Sequence, residues 1–180
     1  IQKQGRIDEA EQLYLHTLQL DPNSSLALYN LGVIENSRHN HEKALGFLQH
    51  AIKLTPENPK YISTYASTLH GNGQKKEGLG ILNQLIRQGS LNEEPYLKLG
   101  KILMQEFDFD GFVKLMVPYV EKNKYAWESI FLTGAVMDFL QRLDKAEEYL
   151  LKIDQHPEFA LRAIMTLQLI YSIIGRVDKY

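Results

Sequence analysis

The chain has no cysteine, so a disulfide framework and a thiolate metal site are both excluded. It lacks an excess of charge: 20 basic against 22 acidic residues leave a formal net charge of −2. That balance supplies no electrostatic footprint for nucleic acid or for an anionic membrane surface. No apolar run reaches the roughly 18 residues that a membrane-spanning helix needs. The most apolar stretch, residues 160–174, is interrupted by Arg162, Thr166, Gln168 and Ser172. The apolar fraction of 44% is ordinary for a globular chain. A cytoplasmic setting is expected, with a periplasmic one left open, because an absence of cysteine does not fix the compartment.

Constellations that carry chemistry are also sparse. His39-Asn40-His41-Glu42 does not have the His-Glu-x-x-His spacing that puts two imidazoles on one helical face, and it reads as a solvated turn. Asp108-Phe109-Asp110-Gly111 opens like a calcium loop but has Tyr119 where the closing Glu is needed; it reads as a turn and helix cap. No phosphate-cradling Gly-x-x-x-x-Gly-Lys occurs, and Ser129 and Ser172 have no recognisable His and acid partners. No catalytic residue, cofactor or metal ligand is expected in this segment.

What the chain does have is a period. Gly32, Ala66, Gly100 and Gly134 recur every 34 residues without insertion or deletion. Leu31, Tyr65, Leu99, Thr133 and Leu167 precede that column, and Leu48, Leu82, Met116 and Leu150 follow it in the same register. Such a period stacks one supersecondary unit on itself, since no single unit can bury its own apolar face. Within a period, one apolar set at helical spacing (Leu28, Leu31, Ile34) leads to a polar turn, then to a second set (Ala44, Leu48, Ala51, Ile52) that Pro56 stops. Turns are expected at Gly5–Asp8, Gly71–Gly73, 142–144 and 175–178, with Asp8, Asp144 and Asp178 capping the helices that follow.

Leu28, Leu31, Gly32, Ala44, Leu48, Ala51 and Pro56 together resemble the tetratricopeptide repeat. The resemblance covers the whole chain and implies an all-α, right-handed α-solenoid of antiparallel helix pairs. The expected array comprises a partial unit at 1–24, units at 25–58, 59–92, 93–126 and 127–160, and a partial unit at 161–180. Helices are expected at about 7–20, in pairs over 25–54, 59–88, 93–122 and 127–154, and at 160–174. The frame weakens where Phe112 replaces a small residue, at Pro118 inside a helix, at Tyr119, and at Gln168. Overfilled positions should push paired helices apart, and Pro118 should kink its helix.

The resemblance also implies a surface, because in that family the first helix of each unit lines a concave groove. Carried onto this chain, the groove would take Tyr29, Asn30 and Val33 from one unit, and Thr64 and Ser67 from the next. Lys98 and Lys101 would follow, then Phe131, Leu132 and Asp138, and finally Met165. Its first half is polar, its middle carries two lysines one turn apart, and its last part is apolar. A peptide could place a carboxylate near the lysines and apolar anchors beyond them; equally, Phe131, Leu132 and Phe139 could be core. The family's chaperone-tail clamp is not expected, because Tyr29, Val33, Thr64 and Glu94 occupy four of its five places and only Lys98 fits. An asparagine ladder is not expected either, since that column reads Asn30, Thr64, Lys98, Leu132 and Thr166.

The functional expectation is a protein–protein interaction scaffold that holds a peptide or protein segment, with no nucleic acid partner and no membrane insertion. The alternative is a targeting arm of a larger enzyme, such as a glycosyl-, sulfo- or methyltransferase. The chain opens in mid-unit, and its last helix has an apolar load that ordinarily needs a neighbour. It is therefore expected to be a piece of a longer protein, or to self-associate through that uncapped helix.

Overall fold

A computed structural model describes residues 2–153 and 156–173. It is helical throughout, with no strand among the described residues. The helices are α1 (Gln2–Leu20), α2 (Ser25–Ser37), α3 (His41–Leu54), α4 (Pro59–Gly71), α5 (Lys75–Arg87), α6 (Glu94–Gln105), α7 (Phe109–Lys122), α8 (Trp127–Phe139), α9 (Leu143–Leu151) and α10 (Ala160–Ile173). The chain divides into two compact units, residues 1–99 and 100–180, and α6 contributes to both.

Local chemistry explains where these helices start and stop. Ser24 caps α2 by accepting the Ala27 N–H at 3.4 Å, and Asn58 caps α4 by accepting the Lys60 N–H at 3.1 Å, with Pro59 at the first helical position. Asp108 caps α7 through the Gly111 N–H at 2.8 Å. Between paired helices the chain turns the same way four times. Asn40 donates to the Glu35 carbonyl, Gln74 to Leu69, Asp108 to Leu103 and Arg142 to Met137, each at 2.9 Å. The residue before each donor has positive φ: His39 at 63°, Gly73 at 87°, Phe107 at 58° and Gln141 at 59°. This is the Schellman stop, which uses a left-handed residue to satisfy the last free carbonyls. The 34-residue register thus repeats in the backbone angles as well as in the side chains.

In unit 1, the small column lets α2 and α3 close on each other. A Cβ on Gly32 would stand 2.7 Å from Leu48 Cγ, so only glycine lets Leu48 cover that helix. Leu28, Tyr29, Leu48, Ala51 and Tyr61 form one buried cluster across α2, α3 and α4. Gly78 does the corresponding job on α5, where a Cβ would press into the Ala66 carbonyl oxygen of α4. In unit 2, Gly100 is covered by Phe112 and Met116, both fully buried, and Gly134 by Leu150. α7 runs through Pro118 to Lys122 without a break.

Two expectations need correction. Gly5–Asp8 is not a turn, because α1 runs continuously from Gln2. Nothing in that stretch forbids a helix, since a single glycine costs only about 1 kcal/mol. Asp8 lies within α1 and accepts from Arg38 Nη2 at 2.8 Å, as does Glu11, so it ties α1 to the end of α2. Asp144 is likewise not the cap of α9; Arg142 holds that position and Asp144 sits in the first turn, where the helix dipole still favours a carboxylate. The expected turn at 175–178, with Asp178, lies outside the described residues.

Candidate functional site

The two units offer separate first-helix faces. In unit 1 these belong to α2, α4 and the start of α6. Tyr29 is buried, its ring stacked on Tyr61 with centroids 4.5 Å apart, and its hydroxyl lies 3.4 Å from Thr64 Oγ1. Burial pushes the Tyr29 phenol up, and the Glu94 carboxylate adds to this against the lowering effect of the Thr64 hydrogen bond. Thr64 is buried as well. Tyr29 and Thr64 therefore join α2 to α4 beneath the surface. Tyr61, which no groove position marked, is the third member of that contact.

The accessible part of this face is made by Asn30, Val33 and Ser67. Val33 is exposed, while Asn30 and Ser67 are half-buried. Asn30 Nδ2 donates to the Leu26 carbonyl and Ser67 Oγ to the Thr64 carbonyl, so both satisfy their own helices. Lys60 Nζ sits 5.5 Å above the Tyr29 ring, within cation–π range. The face is rimmed by polar groups and has little apolar area of its own.

A buried carboxylate stiffens the turn beside it. Glu35 is only 2% exposed and accepts from Asn40 Nδ2 at 2.9 Å and from Lys43 Nζ. Burial alone would raise its pKa. The hydrogen bonds from Lys43 and Asn40, with the charges of Lys43 and Arg38, outweigh that and hold the carboxyl below its ordinary value.

Both lysines of α6 are engaged with acids. Lys98, in unit 1, has Glu94 Oε2 at 4.0 Å one turn back. Lys101, in unit 2, reaches Glu128 Oε1 of α8 at 2.8 Å. A carboxylate ligand at either lysine would have to compete with a resident glutamate. Such exposed pairs are worth only about 0–1 kcal/mol each, so the competition is an even one.

In unit 2 the face of α8 and α10 is apolar. Phe131 and Leu132 are half-buried. The Arg162 guanidinium lies 4.4 Å over the Phe131 ring, with Phe159 packed alongside at 6.1 Å. Asp138 is half-buried near the end of α8, and its carbonyl accepts from Gln141 in the turn. Its neighbour Phe139 is exposed and packs on Phe109 at 4.9 Å. Met165 is 61% exposed, between Leu161 at 67% and Leu169 at 58%. These three lie at i, i+4 and i+8, one stripe along α10. The opposite face of the same helix buries Ala163, Leu167 and Ile170.

Among the described residues elsewhere, His39 and His41 pair with their neighbours. The His39 and His41 rings meet edge to face at 5.8 Å, and His41 Nδ1 pairs with Asn36 Oδ1 at 2.9 Å. No group of three or more His, Cys, Asp or Glu is placed to hold a metal ion among the described residues. Nor is any described helix long and apolar enough to cross a membrane.

The tetratricopeptide-repeat family model matches residues 13–46, the segment that holds Gly32, the Schellman turn at His39 and Ala44. The fold is that of a tetratricopeptide-repeat solenoid. The architecture agrees with solved members of that fold. It superposes on YrrB, a TPR protein with an unusual peptide-binding site, with a TM-score of 0.55 and 16% identity, covering 92% of this chain and 85% of that one. For the MamA protein the TM-score is 0.61 at 17% identity, covering 86% and 85%. Identities this low establish shared fold and nothing about ligands. Among curated proteins, the chain is 36% identical over 77 residues to the photosystem I assembly protein Ycf3 of Rippkaea orientalis. It is 35% identical over 77 residues to the Ycf3 of Cuscuta gronovii. Each alignment covers 41% of this chain and 44% or 46% of the relative. The chain thus spans less than half the length of these relatives.

Proposed function

We propose that this TPR protein is an interaction scaffold that holds a segment of a partner protein on its first-helix faces, in the manner of an assembly factor. The observation that carries this reading is the stripe of Leu161, Met165 and Leu169 on α10. The opposite face of α10 is already buried, and an exposed apolar stripe of this kind is a candidate docking surface. Around it, Phe131 and Leu132 extend the apolar character, and Asp138 and Lys101 supply charge. Asn30, Val33, Ser67 and Lys98 give unit 1 a polar contact of its own. The relatives named as photosystem assembly proteins and the peptide-binding site described for YrrB support the class of activity. The partner of this chain is a matter of its own side chains.

A displayed peptide library selected on the full chain tests the reading. Binders are expected to lose at least about fivefold in affinity on Met165→Asp, since one desolvated apolar contact is worth about 1–3 kcal/mol. A smaller loss is expected on the double charge reversal Lys98→Glu and Lys101→Glu. Binders indifferent to all of these substitutions would sink the proposal.

A further inference from the structure

Away from the first-helix faces, unit 2 contains a cavity of about 380 Å³ where the end of α7, the loop after it, the start of α8 and the residue after α9 meet. Its floor is apolar, made by the buried Val120 and Ile130. Its walls are aromatic. Tyr125 stands in the loop 82% exposed, edge-on to Trp127 with centroids 5.8 Å apart. His156 packs on Trp127 at 5.2 Å, and Phe159 backs His156 at 5.2 Å. Tyr125 and Trp127, in edge-to-face contact, together line one side of the cavity. The volume is at the lower end of the ~300–1,000 Å³ of ligand pockets, suited to one large side chain rather than a cofactor.

Charge at the rim decides what accompanies that side chain. Lys152 is already shared with Glu148, 3.0 Å away, and lies 4.6 Å over the Tyr149 ring; Lys145 takes the same carboxylate at 2.7 Å. Glu121, the acid among the described residues at the rim, acts on Lys145 and Tyr149, on the α9 side. Lys124, next to Tyr125, has no ion-pair partner among the described residues. An apolar, ring-walled slot with an uncommitted ammonium at its mouth is complementary to a ring with an anion beside it.

We propose that this cavity captures an aromatic side chain of a partner protein with a carboxylate adjacent to it. The ring would sit on Val120 and Ile130 against the wall that Tyr125 and Trp127 make, and the carboxylate would meet Lys124. The slot lies outside every position that the 34-residue frame assigns to the groove, so it is a second contact point of different chemistry.

Trp127 is the only tryptophan of the chain, so its indole N–H resonance reports on the slot without ambiguity. The full chain is titrated with N-acetyl-phenylalanine, with N-acetyl-phenylalaninamide, which lacks the carboxylate, and with the cationic N-acetyl-lysinamide. The expected result is a saturable shift of the indole resonance with the acid in the millimolar range, as befits a ligand of this size. The amide should bind about fivefold more weakly, the scale of one exposed charge pair. Lys124→Gln should abolish the difference between acid and amide and leave amide binding intact, and Lys124→Arg should restore it. Tyr125→Ala, in an exposed loop position, should weaken both. The proposal is overturned if the indole shows no saturable shift, if acid and amide bind alike in the unaltered chain, if the lysinamide binds as well as the acid, or if Lys124→Gln keeps the preference.

Discussion

Gly78 and Gly80 lie two residues apart on α5, and replacing each with alanine separates packing from helix propensity. Gly80 is exposed, and a Cβ there would have nothing within 4 Å. Gly80→Ala should stabilise the chain by about 0.5–1 kcal/mol, the ordinary gain for glycine to alanine inside a helix. Gly78 is buried, and its Cβ would press into the Ala66 carbonyl oxygen and approach the His70 nitrogen to 3.0 Å. Both are backbone atoms, so no side chain can rotate away and α4 itself has to shift. Overpacking of this kind costs about 1–3 kcal/mol, and the contact with unyielding backbone argues for the upper half. Set against the same propensity gain, Gly78→Ala should destabilise by about 1–2 kcal/mol. The two variants should then differ by about 1.5–3 kcal/mol. With a urea slope of about 2 kcal/mol/M, their unfolding midpoints should lie about 0.75–1.5 M apart. The comparison has force because the repeat pattern argues the other way: Ala44 and Ala146 occupy the same column, so pattern alone would welcome alanine at 78. If Gly78→Ala proves as stable as the unaltered chain, the close approach of α4 and α5 is not what the glycine serves.

Glu35→Ala should cost about 1–3 kcal/mol at pH 7, the range for hydrogen bonds to a charged group. Since the folded-state pKa of Glu35 is lowered, its stabilisation is complete above the unfolded value near 4.3 and is lost as pH falls through the folded value. The gap in urea midpoint between the variant and the parent should therefore narrow below about pH 4; a gap that stays constant into acid would refute the assignment. Phe107→Gly should raise the thermal midpoint by about 2–4 °C. A 79%-exposed ring at φ 58° bears left-handed strain of about 1 kcal/mol with little burial in return. A fall in the midpoint would mean that the ring makes a contact the chain depends on.

The period made the helices readable. Small residues at 32, 100 and 134 mark where one helix is covered by the next, and proline or a capping side chain marks where each begins. It could not show that α1 starts at Gln2, because Gly5–Asp8 has the composition of the other turns and nonetheless lies inside a helix. Nor could a column position say how deep a side chain lies. Tyr29 and Thr64 share a face with Asn30 and Val33 in the frame, but the packing of α4 on α2 covers the first two and leaves Val33 exposed. Lys98 and Lys101 were legible as a pair of cations; the glutamates that engage them come from one turn back and from another helix. Tyr125 and the slot beside it had no column at all, since they sit in the connection between repeats where the period imposes no residue type.

The four Schellman turns bear on how the molecule reaches this structure. Each closes a helix pair whose partners lie within about thirty residues of chain, so the contacts that define a pair are made by neighbours in sequence. Topologies built from such local closures fold in microseconds to milliseconds, because little loop entropy is lost before the first contacts form. Each pair can then nucleate and open on its own, and stability accrues pair by pair. Amide exchange should accordingly fall into steps that follow the pairs, with the backbone N–H groups of Asn40, Gln74, Asp108 and Arg142 each opening together with the pair whose turn they close.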